Sequence, residues 1–286
     1  MLSNKVSEIM TTDLVKAKVS ATVESVMATM VAEDVGRIII TDDEVPVGIF
    51  TEKDVLKRIL GTAIDAKSAI IKDVMTAPVR AVREETHIVD AFARMYRGKY
   101  RHLLVRGRHG KIIGIVSMRR ILNIAVELGQ GISESRTVGD IPTAPIVTVD
   151  ESSTVHTTVN LMNQQGLTAV IVTAAGTPTG IFTERDVLRR VATMDMDRQH
   201  TPVRQVMSAP LIAMPRASLV GDVLAEMYRR DIRNMPVEEA PNRLLGLIAM
   251  PEILQYAQAF NIDEQVRRSW QEVAQALDTD DQYTPG

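Results

Sequence analysis

Glycines at positions 48, 114, 180 and 246 stand 66 residues apart, and each opens a related apolar string: GIFTEKDVL, GIVSMRRIL, GIFTERDVL and GLIAMPEIL. A fixed period of this length means one supersecondary unit repeated four times, each too small to bury its own apolar face alone. Two more ladders run in phase. Met10, Met75, Ile141 and Met207 each precede a small polar residue or proline, and Met30, Met95, Met162 and Met227 each close a helical stripe such as Val23, Val26, Met27, Met30. Methionines at helical spacing read as flexible core fillers.

Within the first repeat the pattern predicts a helical turn ending at Met10, an extended stretch from Leu14 to Val19 and an amphipathic helix from about Thr22 to Asp34. A strand RIIIT, a turn over Asp42 to Pro46, a strand VGIFT and a second helix from about Glu52 to Leu60 follow. The unbroken apolar run Ile38 to Ile40 implies a strand buried on both faces, with helices on one side and a neighbouring repeat on the other. Repeats one and three keep the intact string, whereas two and four carry altered ones. The duplicated unit is therefore a pair of repeats with a period of twice 66, or 132, residues. Linkers are placed near Ala63 to Lys67, Gly129 to Ser135 and Asp195 to Thr201, the middle one separating the pairs.

Composition narrows the chemistry. The chain has 286 residues, 45% of them hydrophobic and 24% charged, the profile of a globular protein. With no cysteine there is no disulfide, thiolate nucleophile or cysteine-ligated zinc, which fits a reducing cytoplasm. MLSNKVSEIM does not read as a signal peptide and no stretch reads as a membrane span, so a cytoplasmic protein is expected. A net charge of −3 gives no global attraction for nucleic acid, and 3% aromatic residues disfavour base stacking on aromatic platforms. No P-loop, G-x-S-x-G or H-E-x-x-H pattern occurs, and His87, His102, His109, His156 and His200 lack metal-ligand spacing. GQG at Gly129 is no dinucleotide fingerprint, and GRHG at Gly107 reads as a hairpin loop. A binding module without catalytic residues, metal or cofactor is expected.

The repeated string has two readings. Thr51 followed three residues later by Asp54, just before an apolar helix, is a capping box that satisfies the helix start. The same geometry can serve a ligand, because a helix N-terminus favours an anion and a carboxylate beside a hydroxyl can accept both hydrogen bonds of a vicinal diol such as ribose. Gly48 within an apolar strand marks a close approach by backbone or ligand.

Four copies of G-h-x-[ST]-x-x-D or its relatives, in a strand-helix-strand-strand-helix order, resemble the cystathionine-β-synthase (CBS) domain, whose pairs form Bateman modules. The resemblance implies an α+β fold of four βαββα repeats in two modules, compatible with a disc-like pseudo-symmetric assembly in one chain. The repeats are placed at 3–62, 68–127, 133–194 and 200–258, with a C-terminal helix and acidic tail over 261–286. It further implies that Thr51, Asp54, Thr183 and Asp186 hold ribose. By similarity to the adenylate-sensing γ subunits of AMP-activated protein kinase, Arg101, His102, Arg233 and Asn234 lie beside phosphate. Adenine is expected around Gly36, Arg37, Leu167 and Thr168.

Repeats two and four depart from the motif. Ser117 is followed by Arg119 and Arg120 where the ribose carboxylate would stand, and repeat four has Ala249, Pro251 and Glu252. Arg119 and Arg120 are read as phosphate ligands for the neighbouring site. Between Asp90 and Arg120 nine Lys or Arg residues face a single acid, Asp90, which suits an anion site or a solvated basic face.

The resemblance implies a regulatory sensor of AMP, ADP or ATP, a monomer or homodimer acting on an enzyme or transporter. The alternatives are a protein-interaction scaffold with vestigial sites, or a sensor of S-adenosylmethionine or a cyclic dinucleotide.

Overall fold

The computed structural model describes residues 5–62, 64–121, 137–250 and 252–253. The middle linker, the GQG segment and the C-terminal helix and tail fall outside them.

Each repeat builds a three-stranded sheet. In repeat one, β1 (Lys16–Lys18) runs parallel to the central β2 (Arg37–Asp42), which pairs antiparallel with β3 (Val45–Thr51). The same order recurs in β4 (Ala81–Arg83), β5 (His102–Arg106) and β6 (Ile112–Ser117), then in β7 (Thr148–Asp150), β8 (Ala169–Ala174) and β9 (Thr177–Thr183). It closes with β10 (Met214–Pro215), β11 (Asn234–Ala240) and β12 (Arg243–Ala249). A helix joins the first two strands of each sheet: Val23–Ala32, Ile88–Arg97, Val155–Gln165 and Val220–Arg229. Thr22 and Thr154 cap two of these helices, accepting bonds from the amides of Ser25 and Thr157.

The expected order of elements holds, with the first helix starting one residue after Thr22 and ending at Ala32. The second helix starts at Glu52–Asp54 and widens over Val55–Leu60, where Gly61 N–H reaches the Leu56 carbonyl five residues back. GRHG is the β5–β6 hairpin, closed by Gly107 N–H on the Lys111 carbonyl.

The two faces of each sheet are covered differently. Ile39, Leu104 and Ile115, with Leu14, Ile49 and Val79, pack sheet one against sheet two, which is the paired module. The helical faces meet between modules. One core joins repeats one and three through Met27, Met30, Phe50, Met162 and Phe182, and the other joins repeats two and four through Phe92, Met95, Leu224 and Met227. The methionine stripes are core, as their spacing suggests.

The short turn that opens each repeat packs onto the partner repeat of its module. Val6 and Ser7 donate to the Thr86 and Glu84 carbonyls, and Ile71 donates to Ala21. Val138 and Val203 repeat the exchange with Ser218 and Ser153. Two ladders of the sequence meet here. A side chain on Gly48 would overlap Met75, one on Gly114 would meet Met10 Sδ at 2.7 Å, and one on Gly180 would meet Met207 Sδ at 2.7 Å and the Ser208 carbonyl at 2.8 Å. The close approach inferred at Gly48 is thus the crossing of the exchanged segment, and no ligand is needed to explain it.

Candidate functional site

The second-helix starts of repeats one and three carry the same bonding. Asp54 Oδ2 accepts from the Thr51 amide at 2.9 Å and its hydroxyl at 2.7 Å, while Oδ1 accepts from the Thr76 hydroxyl at 3.1 Å and lies 3.5 Å from Arg58. Asp186 Oδ2 accepts from the Thr183 amide at 2.9 Å and hydroxyl at 2.7 Å; Oδ1 accepts from Ser208 at 2.8 Å, with Arg190 at 3.3 Å. Thr76 and Ser208 follow the ladder methionines on the exchanged segments, so each buried carboxylate is finished by the next repeat. Nothing in their sequence positions assigned them this role. Ser117 also retains a cap, accepting from the Arg120 amide at 3.1 Å.

A cavity of about 610 Å³ opens among all four repeats. Thr183 and Asp186 line it, together with Ser208, Thr168 and Ile181; Thr51 and Asp54 do not. Of the residues assigned to phosphate, Arg101, His102, Arg119, Arg233 and Asn234 line the cavity. Arg120 does not: its guanidinium reaches the Ile9 carbonyl at 3.4 Å, because the helix that starts after Ser117 turns it toward the exchanged turn. Gly36, Arg37 and Thr168 line the cavity, whereas Leu167 packs on the core of repeats one and three.

Eight arginines and five carboxylates line this space, so it favours anions. Arg37 is the most unusual, its pKa lowered to about 10 by burial and then by Arg233, partly offset by Glu52. Burial, followed by Arg37, Arg101 and Arg233, pushes His102 well below the ordinary histidine range, leaving a neutral imidazole at neutral pH.

Two acids that the sequence did not single out organise the arginines. Glu184 pairs with Arg101 at 2.8 Å, and Glu52 pairs with Arg233 and lies 3.5 Å from Arg185. Their side chains are 5% and 2% exposed. Both pairs join opposite modules, and the 132-residue period maps one pair onto the other. Burial opposes ionisation of Glu52, but Arg233, Arg185 and Arg101 outweigh it and hold its pKa below the usual carboxylate value. Arg185, the one changed letter of the kept string, also bonds Asp231, which pairs with Arg119 as well. Arg189 pairs across the modules with Asp34.

Among the described residues no helix is long and apolar enough to cross a membrane, and no group of three His, Cys, Asp or Glu side chains could hold a metal.

The CBS domain model matches residues 6–61, 71–127, 138–193 and 203–259. Protein MJ1225 from Methanocaldococcus jannaschii superposes with a TM-score of 0.78 at 16% identity, over 88% of this chain and 99% of that one. An uncharacterised conserved protein from Pyrococcus horikoshii does so with a TM-score of 0.60 at 20% identity, over 88% and 99%. Uncharacterized protein MJ1404 of M. jannaschii is 24% identical over 90% of this chain and 62% of its own length. The meiotically up-regulated gene 70 protein of Schizosaccharomyces pombe is 25% identical over 74% of this chain and 38% of its own. The chain thus spans between 38% and 62% of these two curated relatives. It belongs to the CBS-domain family, with four CBS domains paired as two Bateman modules around one arginine-lined cavity.

Proposed function

We propose that this protein is a regulatory sensor that binds an adenine nucleotide, AMP, ADP or ATP, in the cavity between its modules. The carrying observation is the placement of Thr183 and Asp186, a hydroxyl and a buried carboxylate, on the wall of a cavity that is otherwise rich in arginine. A ribose hydroxyl would bond Asp186 Oδ1, replacing the 3.3 Å contact of Arg190, whose side chain is 46% exposed. The phosphates would lie toward Arg233, Arg37 and Arg119, with His102 and Asn234 as neutral donors, and the base toward Gly36 and Thr168. MJ1225 is likened to g-AMPK, in agreement with this reading. Occupancy is transmitted as a difference in ligand affinity between module arrangements, read by a partner enzyme or transporter; catalysis is not part of the role.

Calorimetry of nucleotide-free protein with AMP, ADP and ATP tests the proposal, and absence of binding by all three sinks it. The titration also counts sites: one per chain if only the Asp186 copy serves, two if Asp54 heads a second. S-adenosylmethionine and a cyclic dinucleotide complete the panel, since the ribose contact does not select the group carried on the 5′ carbon. A second reading, an interaction scaffold, has one observation behind it: all four acceptor positions of Asp186 are already filled. A partner recovered in pull-down by protein that binds no nucleotide would favour it.

A further inference from the structure

We propose that Glu52 and Glu184 are internal competitors for phosphate: each occupies an arginine of the opposite module that a phosphate-bearing ligand must recruit. The inference rests on the reading of the central cavity as a phosphate site and adds what sets its affinity and couples the two modules.

The geometry supports it from three directions. Arg101 and Arg233 both line the cavity, yet each guanidinium is committed to a buried carboxylate across the module boundary. A guanidinium binds carboxylate and phosphate through the same fork of donors, so the two anions compete for one surface. The seat of one pair is shaped for it. A Cβ on Gly36 would stand 2.8 Å from Arg233 Nη2 and 2.9 Å from Glu52 Oε1, so the absence of a side chain at Gly36 leaves room for the ion pair.

Charge supplies the driving force. Arg37, Arg101 and Arg233 all bear on the half-buried His102, a concentration of positive charge that the two carboxylates of Glu52 and Glu184 only partly offset. A phosphate entering here brings more negative charge than the glutamate it displaces. As Arg233 turns from Glu52 to the ligand, repeat four releases repeat one; Arg101 and Glu184 do the same between repeats two and three. The binding event and the loosening of the module boundary are then one exchange of partners. A single phosphate can engage one of the two arginines, whereas a polyphosphate chain can engage both, so the exchange selects for chain length and charge.

The test uses the full chain with Glu52→Gln, Glu184→Gln and Glu52→Asp, titrated with AMP, ATP and inorganic tripolyphosphate. The glutamine variants are expected to bind tripolyphosphate and ATP about tenfold more tightly than the parent, because the competing charge is gone while the side-chain shape is kept. AMP affinity should change less. Glu52→Asp, which keeps the charge but shortens its reach, should fall between, and it carries the test if Glu52→Gln does not fold. Melting of the glutamine variants should start lower than the parent and rise more on adding tripolyphosphate. A merely structural ion pair predicts the opposite sign, weaker binding in every variant. Equal or weaker affinity for tripolyphosphate would overturn the competitor role even if the parent binds nucleotides. Tighter tripolyphosphate binding by the variants, with no nucleotide bound by any protein, would leave the competitor role standing and remove the nucleotide reading.

Discussion

Replacing Asp186 by Asn separates a helix cap from a ribose ligand. The substitution keeps the side chain's shape and one acceptor but removes the charge shared by Thr183, Ser208 and Arg190. A hydrogen bond to an ionised acceptor contributes roughly 1 kcal/mol more than one to a neutral acceptor. Three short bonds therefore place the loss of stability at about 2–3 kcal/mol, lowering the melting temperature by about 3–5 °C. The ribose hydroxyl that takes the place of Arg190 on Oδ1 would face a neutral amide instead and lose about 1 kcal/mol, or roughly fivefold in Kd.

Asp54→Asn supplies the matched comparison, because Asp54 has the same set of bonds, from Thr51, Thr76 and Arg58, and does not line the central cavity. The two variants should melt alike. Titration calorimetry of both with AMP reads affinity and stoichiometry together, at a temperature well below either transition. Weakened binding on Asp186→Asn is the expected result. If both variants lose the anticipated stability and neither changes the affinity or the number of sites, the carboxylates are caps alone and the ribose argument is wrong.

Gly180→Ala should cost about 1–3 kcal/mol and weaken nucleotide binding, because the new methyl group meets the Ser208 carbonyl at 2.8 Å and Ser208 holds Asp186; wild-type melting and affinity would refute it. Arg37→Met should raise the melting temperature at neutral pH by removing a half-buried cation that desolvation and then Arg233 disfavour, while lowering ATP affinity more than adenosine affinity. A fall in stability with unchanged ATP binding would contradict this. For His102 the folded pKa lies below the unfolded value of about 6.5, so the unfolded chain takes up the proton first. Stability is intact above about pH 6.5 and is lost as pH falls from there to the folded pKa, at up to about 1.4 kcal/mol per pH unit. His102→Asn, which installs the residue that the equivalent position 234 already carries, should flatten that acid limb in urea denaturation; an unchanged limb would show that His102 is not its source.

What the sequence disclosed was whatever repeats at constant spacing or with helical or strand period. The glycine ladder, the methionine stripes and the apolar run at Ile38 to Ile40 led to four sheets, covered by helices on one face and by a neighbouring repeat on the other. The capping box was legible because its partners lie three residues apart. The roles of Thr76 and Ser208 were hidden because their partners, Asp54 and Asp186, lie 22 residues away, reached only through the exchanged turn. Gly48 was read as a close approach by backbone or ligand, and Met75 of the exchanged segment is what approaches it. Arg120 was drawn into the site by its place in the motif, although a helix start turns neighbouring residues to different sides. Arg37, read as a contact for adenine, lines the cavity as a half-buried cation, and its crowding by Arg233 had no signal in the sequence.

The cross-module pairs did have a sequence signature, spread over two positions. The residue after the capping Thr or Ser, or its replacement Ala249, is Glu52, Met118, Glu184 and Met250 in the four repeats. The residue whose carbonyl accepts from that position's amide is Gly36, Arg101, Thr168 and Arg233. Acid therefore alternates with methionine while a small residue alternates with arginine, in opposite phase. Repeats one and three supply the carboxylate and the space; repeats two and four supply the guanidinium and an apolar side chain, Met118 or Met250, that is buried in their shared core. Such complementarity cannot be satisfied within a repeat or between two repeats of the same kind, since each would offer acid to acid or arginine to arginine. It is satisfied between repeats one and four and between two and three, which lie in different modules. The alternation limits these pairs to an odd repeat facing an even one, and the pairs that form join the modules through the same arginines that line the cavity. A ligand that draws on those arginines acts on the module boundary without any further relay.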